Sequence, residues 1–470
     1  MKKLLLILTL SIFCFAQNLP INSVVKVFVS ASIPNYKYPW QTSQRIQVSG
    51  SGVIIKDNYI ITNAHVVSNA KFIQVSQDKS SKKYIANIKY ISNQADLAIL
   101  EVKDKSLFKN TKPLNFTEDI KTGDNITVLG YPIGGYDLST TKGIVSRIET
   151  HNYVWSGENL LSIQVDASIN SGNSGGAALD DNNNIVGIVM QSYLKNQSDN
   201  IGYIIPSTIV NTFLEDIKDG KVDGFENSDT SFQNLQNESL KSYYNMKGDK
   251  GVVITDIEDS EKDLKLGDIL LKIDGEKVID NGTVQTKYGA QNINYALHKK
   301  PVGQKVSIQV LRDGKTIDLN YTLKQRNRLV KYERFKEPRY LIFAGLVFSP
   351  LTSNYISTHG FNATLFETFY KFNEKASHAK EGVIIQVEKF NHNINDGYNP
   401  YIYLVKSVNG VNIVDFKHFV KLIDESKDKY TVIDFLDIKL KKYVFETKKA
   451  RNSFEEIKNI YGLNTDRHLD

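Results

Sequence analysis

Ser174 stands in SINSGNSGGAAL, residues 168–179, with Gly172 two positions before it and Gly175 and Gly176 directly after it. Gly, Ser and Asn also cluster in ordinary surface turns, so the run alone settles nothing. A serine hydroxyl is a weak nucleophile at neutral pH; it needs an adjacent base, and the base needs a group that orients it. Two histidines precede Ser174. His65 lies in YIITNAHVVSNA, an apolar strand running into a short turn, and His151 lies in IETHNYVWSG, a strand end and loop. Asp96 lies in NQADLAILEV, just ahead of another apolar strand. Read singly, His65 is a structural histidine and Asp96 a turn former. Read together, His65, Asp96 and Ser174 follow one of the chain orders of a nucleophile–base–orienter triad, with His151 the weaker candidate base. That set performs acyl transfer: Ser174 Oγ attacks a carbonyl, His65 takes the proton and passes it to the leaving group, and Asp96 holds the imidazole tautomer and stabilises its cation.

Such groups need a rigid frame. From Val24 to about Ile205, short apolar runs (VVKVFVS, SGVIIKDNYIIT, DNITVLGYP, IVGIVMQS) alternate with Gly, Asn and Asp, the spacing of an all-β barrel or sandwich. The glycines at 172, 175 and 176 then permit backbone angles and close approaches that a Cβ would forbid. A helical run, STIVNTFLEDIKDG, follows Pro206, with Ser207 able to cap its start and Gly220 to end it. The polar stretch DGKVDGFENSDTSFQNLQNES marks a boundary near residue 220. Beyond it the chain repeats itself. GVVI at 251–254 precedes ILLKIDGEKV at 269–278, and GVII at 382–385 precedes LVKSVNGVNI at 404–413. Asp-Gly and Asn-Gly are tight-turn signals in both copies. The second copy continues into FKHFVKLIDES, apolar at helical spacing. LKQRNRLVKYERFKEPR separates the copies near residue 330, and Thr447 to Tyr461 reads as a Lys/Glu-rich helix.

With 470 residues, 41% hydrophobic and 23% charged, the chain has ordinary globular composition and room for about three domains. The net charge of +6 is spread along the chain, without the clustered basic face of a nucleic-acid binder. The segment MKKLLLILTLSIFCFA, residues 1–16, joins a basic start to a short apolar core ending on a small residue. That is the pattern of an export signal, too short to span a membrane, and the bulky Phe13 argues against lipid attachment at Cys14. Cys14 is the single cysteine. Its removal with the signal excludes disulfides, thiol nucleophiles and cysteine zinc sites. The apolar run Tyr340 to Phe348 is also too short to cross, so no stable membrane insertion is expected.

TNAHVV, DLAIL, GYPIGG and GNSGG match the sequence blocks of Deg/HtrA-type serine proteases. VVKVFVS…PNYKYPWQ and VKSVNGVNIVDFKHFVKLID further resemble the plant Deg-type branch with two PDZ domains. The resemblance implies a mostly β chain: a chymotrypsin-like double β-barrel protease domain (17–220) followed by two PDZ-like α+β domains (221–330 and 331–470). It implies an ATP-independent endopeptidase in the periplasm, without metal or organic cofactor, acting on unfolded or damaged polypeptides as a homo-oligomer, a trimer or multiple of trimers. By the same resemblance, the N–H groups of Gly172 and Ser174 form an oxyanion hole, with Asn173 shaping the loop. Ile169 and the region around Met190 line the first specificity pocket, whose apolar character favours a small or medium aliphatic side chain. The carboxylate-capturing loop of the first PDZ-like unit falls on Tyr244, Asn245 and Met246, with Asn where the family has Gly, and that of the second on Gly345 in FAGLVF. Ala177 replaces the family's usual Pro, removing some rigidity and no reactive group. Either PDZ-like unit could instead serve structure or assembly. The alternative for the whole chain is a chaperone or scaffold that binds exposed apolar segments without cleaving them.

Overall fold

The computed structural model describes residues 19–470 apart from 42–43, 136, 193–200, 229, 258–260, 326–328, 334–335, 359–379, 400 and 437–440. The expected export signal and Cys14 lie outside the described residues. Two closed antiparallel barrels come first. One joins β1 (Val24–Ile33), β2 (Gln44–Ile55), β3 (Tyr59–Thr62), β4 (Ala70–Gln77), β5 (Tyr84–Ser92) and β6 (Leu97–Val102) in the order β1-β2-β3-β6-β5-β4. The other joins β7 (Asn125–Gly130), β8 (Ser139–Asn152), β9 (Asn159–Val165), β10 (Ala177–Leu179), β11 (Ile185–Ser192) and β12 (Gly202–Pro206) in the order β10-β11-β12-β9-β8-β7. Closure pairs every strand on both sides, so no edge is left to aggregate. Val25, Val27, Ile54, Ile60, Val75 and Leu100 fill the first barrel, and their β-branched or bulky side chains suit a pleated, one-sided core.

A single-turn helix, α1 (Ala64–Val67), follows β3, and α2 (Ser207–Asp216) follows β12. Ser207 does not cap α2. Pro206 holds the cap position, and the Ser207 hydroxyl donates to the Ile185 carbonyl at 2.7 Å, fastening the helix to β11. Gly220, at φ +91°, does end the helical run.

The next unit contains β13 (Ser231–Asn234), α3 (Glu238–Tyr243), β14 (Val252–Asp256), β15 (Ile269–Ile273), β16 (Glu276–Lys277), β17 (Thr283–Thr286), β18 (Gly289–Asn292), α4 (Asn294–Leu297), β19 (Lys305–Arg312) and β20 (Lys315–Thr322). Its sheet runs β13-β14-β15-β19-β20. Its core side chains, among them Ile254, Leu270 and Ile308, join those of the second barrel in one cluster, and Gln291 bonds the Thr150 N–H and the Ile148 carbonyl across the junction. The last unit contains β21 (Tyr340–Phe343), β22 (Leu346–Pro350), α5 (Ser353–Thr358), β23 (Val383–Lys389), β24 (Tyr403–Val408), β25 (Val411–Asn412), α6 (Phe416–Glu425), β26 (Tyr430–Phe435), β27 (Lys442–Glu446), α7 (Thr447–Tyr461) and β28 (Arg467–His468). The repeat is real in three dimensions. Asp274-Gly275 and Asn409-Gly410 both turn with positive φ and close the equivalent hairpins β15–β16 and β24–β25. Phe416, Phe419, Val420 and Ile423 form the buried stripe of α6. No helix among the described residues is long and apolar enough to cross a membrane.

Candidate active site

His65 and Asp96 come from the first barrel and Ser174 from the second. Asn63 precedes α1 in extended geometry, and its side-chain amide donates to the Asp96 carbonyl at 3.0 Å. Asp96 sits in the β5–β6 turn at φ +54°, fully buried. Its Oδ1 accepts the His65 backbone N–H at 2.8 Å and its Oδ2 meets His65 Nδ1 at 2.7 Å. An ionised carboxylate only accepts hydrogen bonds, so Nδ1 carries the ring proton and Nε2 keeps its lone pair. Burial opposes charging of the imidazole, but the adjacent Asp96 carboxylate outweighs it and raises the pKa above the ordinary 6.5. His151 plays no part here; it stacks on Tyr203 with ring centroids 4.6 Å apart.

Ser174 is held by its backbone. The Ser174 carbonyl accepts the Ser51 N–H at 2.8 Å. The Ser51 hydroxyl donates to the Gly172 carbonyl and accepts the Tyr131 N–H, both at 2.8 Å. Ser51, on β2, thus ties the Ser174 loop to the first barrel, and neither it nor Trp155, whose ring lies 5.8 Å from that of His65, stood out in the sequence. The one available signal for Ser51 was the small-residue run Gly50-Ser51-Gly52, which lets two backbones approach closely. Within the loop, the N–H groups of Asn173, Gly175 and Gly176 are bonded to the carbonyls of Asn170, Val189 and Asn173. Among the described residues, those of Gly172 and Ser174 have no acceptor. Gly172 takes φ +99°, and a Cβ on it would lie 2.5 Å from the Tyr131 carbonyl oxygen. The Ser174 hydroxyl donates to the Met190 carbonyl at 2.6 Å, and among the described residues no hydrogen bond joins it to His65.

Gly175 is the tightest point. At φ +85°, a Cβ would fall 2.1 Å from the Ser51 carbonyl oxygen and 2.4 Å from Thr62 Oγ1. Gly175→Ala should lower the thermal midpoint of the protease barrels well beyond Gly123→Ala, which has a similar φ of +91° but open space around it. Calorimetry of the two variants checks this; the crowding adds about 1–3 kcal/mol to the strain they share.

Ile169 and Met190 are both buried in the core of the second barrel. Ile169 packs over Gly202, whose added Cβ would meet Ile169 Cδ1 at 2.4 Å, and Met190 reaches Ser174 through its carbonyl.

A trypsin-like peptidase domain matches residues 50–188, and PDZ domains match residues 230–323 and 330–470. Protease Do-like 2, chloroplastic, of Arabidopsis thaliana is 32% identical over 458 residues, covering 96% of this chain and 75% of that protein. The chain belongs to the Deg/HtrA-type serine proteases. Protease Do-like 4, mitochondrial, of the same plant is 36% identical over 413 residues, covering 86% of this chain and 77% of that one. Among solved structures, the HtrA-type protease AlgW with tripeptide aligns with a TM-score of 0.50 at 25% identity, covering 65% of this chain and 94% of that one.

In this Deg/HtrA-type protease, Tyr244, Asn245 and Met246 form the exit of α3. Asn245 takes φ +53°, and the N–H groups of all three close the helix end onto Leu240, Ser242 and Lys241. These N–H groups are therefore spent on the chain itself, and β14, which follows, is paired with both β13 and β15. A peptide strand has no free edge to join there; β13 is the outer strand. Gly345 lies in the two-residue turn Ala344-Gly345 between β21 and β22, both at positive φ. Its carbonyl accepts the Phe390 N–H at 2.8 Å, and a Cβ would lie 2.4 Å from Asn395 Nδ2. Both positions serve the local turn; the structure brings neither to an open strand edge.

Proposed function

We propose that this protease is an exported, ATP-independent endopeptidase that cleaves unfolded or damaged polypeptides with His65 as base, Asp96 as its orienter and Ser174 as nucleophile. The observation that carries the reading is the double grip of Asp96 on His65, which puts the ring proton on Nδ1 and leaves the Nε2 lone pair to take another. Ser174 Oγ attacks the peptide carbonyl, His65 Nε2 takes the proton, and the Gly172 and Ser174 N–H groups receive the oxyanion. His65 then protonates the leaving amine, and water repeats the steps to release the acyl chain. The hydrolysis draws no energy from a nucleotide. Ile169 and Met190 bound the pocket for the side chain ahead of the cut. With domain boundaries near residues 220 and 330, the two PDZ units serve substrate recruitment, regulation or trimer-based assembly. The plant relatives are named chloroplastic and mitochondrial, so the support for export is the sequence of residues 1–16.

The contact between the Ser174 hydroxyl and Met190 favours one other reading, a scaffold that holds apolar segments without cutting them. A fluorophosphonate probe separates the two. Labelling of Ser174 is expected, faster with unfolded protein present, and falling on the acid side as His65 is protonated. Because Asp96 raises the His65 pKa, the midpoint of that fall should lie above 6.5. No labelling at any pH, with or without unfolded protein, would favour the scaffold.

A further inference from the structure

Trp155 belongs to the second barrel, in the loop between β8 and β9, yet its indole lies against the imidazole of His65 in the first. The ring centroids are 5.8 Å apart and the planes 55° apart. The loop that carries it is firmly based. Tyr153 is fully buried and its hydroxyl donates to the Leu161 carbonyl at 2.6 Å. The Tyr153 N–H bonds the Glu158 carbonyl at 2.8 Å, the Gly157 N–H bonds the Tyr153 carbonyl at 2.7 Å, and Asn152 Nδ2 bonds the Gly157 carbonyl at 2.9 Å. Asn227 then clamps the Glu158 carboxylate at 3.0 Å from the segment leading into the first PDZ unit. A loop so braced, with Tyr153 buried at its base, aims the Trp155 side chain at a chosen place.

His65 Nδ1 is committed to Asp96, and Nε2 must stay open for the proton in flight. The rest of the ring is left to its neighbours, and Trp155 packs beside it, tilted by 55° at 5.8 Å. An aromatic ring within about 6 Å of a cation attracts it through the ring quadrupole, most strongly where water is excluded. The neutral imidazole gains little from this; the imidazolium formed during acylation gains more.

We propose that Trp155 is a positioning residue for His65: it holds the imidazole against Asp96 and favours the cationic form that arises as Ser174 gives up its proton. The inference rests on the reading of His65 as general base. The charged group facing the imidazole is Asp96, from the β5–β6 turn. Tyr153, from the Trp155 loop, lies near that carboxylate, and its phenol stays neutral because burial pushes its pKa up.

The test uses the full chain as Trp155→Leu, which fills space without an aromatic face, and Trp155→Phe, which keeps one. Each is assayed on an unfolded protein substrate for kcat, KM and the pH dependence of kcat/KM. Trp155→Leu is expected to lower kcat about tenfold with little change in KM, and to move the acid limb to lower pH. Trp155→Phe should restore most of both. A cover that merely fills space would move the limb upward in Trp155→Leu, since admitted water relieves the burial that opposes charging. The inference is overturned by that upward shift, by an effect on KM alone, by a Leu variant equal to the parent, or by Phe and Leu variants equally impaired. An inactive parent chain whose Ser174 never reacts with a fluorophosphonate would overturn the assigned function, and this inference with it.

Discussion

Ser174→Ala should lower kcat by about 10⁶-fold while leaving the fold in place. The two halves of that expectation have separate causes. The position holds the site together through its backbone: the carbonyl of residue 174 receives the Ser51 N–H at 2.8 Å, and Ala keeps that bond. The side chain makes one hydrogen bond among the described residues, to the Met190 carbonyl at 2.6 Å. Losing a single neutral hydrogen bond of this kind costs about 1 kcal/mol, a small part of the stability of a barrel pair closed on all strands. Catalysis loses the atom that forms the acyl bond. The backbone N–H groups of residues 172 and 174 survive, so a residual rate about 10³–10⁴ above that in water should persist. Steady-state kinetics beside a thermal melt would show it. A loss of only a few-fold with an intact melt would place the nucleophile elsewhere; equal loss of fold and rate would mean that the hydroxyl is structural.

The three candidate residues stood out because each sits where a local pattern changes. His65 ends one apolar run, Asp96 begins another, and Ser174 is ringed by glycines that only a tight turn requires. The strands were legible through the spacing of short apolar runs, which left barrel and sandwich open until the family blocks pointed to a double barrel; α6 was legible through helical spacing and α7 through its Lys/Glu-rich composition, because these are local properties of the chain. Ser51 was not, since its hydroxyl matters only through the Gly172 carbonyl, 121 positions away, and inside VSGSGVII it reads as one more strand residue. Trp155 was missed for the same reason: its partner is on the other barrel. The reading of Asn245 failed differently. An apolar–X–apolar pattern ahead of GVVI fits a peptide-capturing loop, but the same pattern fits a helix exit, and β13 already pairs with the strand that follows. Gly345 likewise fits both a capture loop and a two-residue hairpin turn. Strand pairing, which decides between them, is set by sheet partners distant in sequence.

Asp96→Asn should reduce kcat by about 10⁴-fold without unfolding the chain, and the arrangement of its two oxygens explains why so small a change does so much. Oδ1 accepts the backbone N–H of His65 and Oδ2 meets Nδ1 of the same residue. Asn offers one oxygen and one NH₂ in place of the two oxygens. A backbone N–H can only donate, so the amide oxygen is committed to it. The NH₂ then faces Nδ1, and two donors cannot share that contact. The ring answers by moving its proton to Nε2, which leaves Nδ1 as the acceptor. All hydrogen bonds are satisfied, but Nε2, the nitrogen proposed as the base, now carries a proton and cannot take another. The fold tolerates the exchange: Asn adopts the left-handed conformation observed at residue 96, φ +54°, more readily than most residues, and a buried charge is removed. The loss should therefore appear in kcat and in the rate of fluorophosphonate labelling by the same factor, with KM and the thermal midpoint near those of the parent. A fall of less than about tenfold would mean that the grip on the backbone N–H, which Asn preserves, is what orients His65, and that the carboxylate's contact with Nδ1 contributes little to the chemistry.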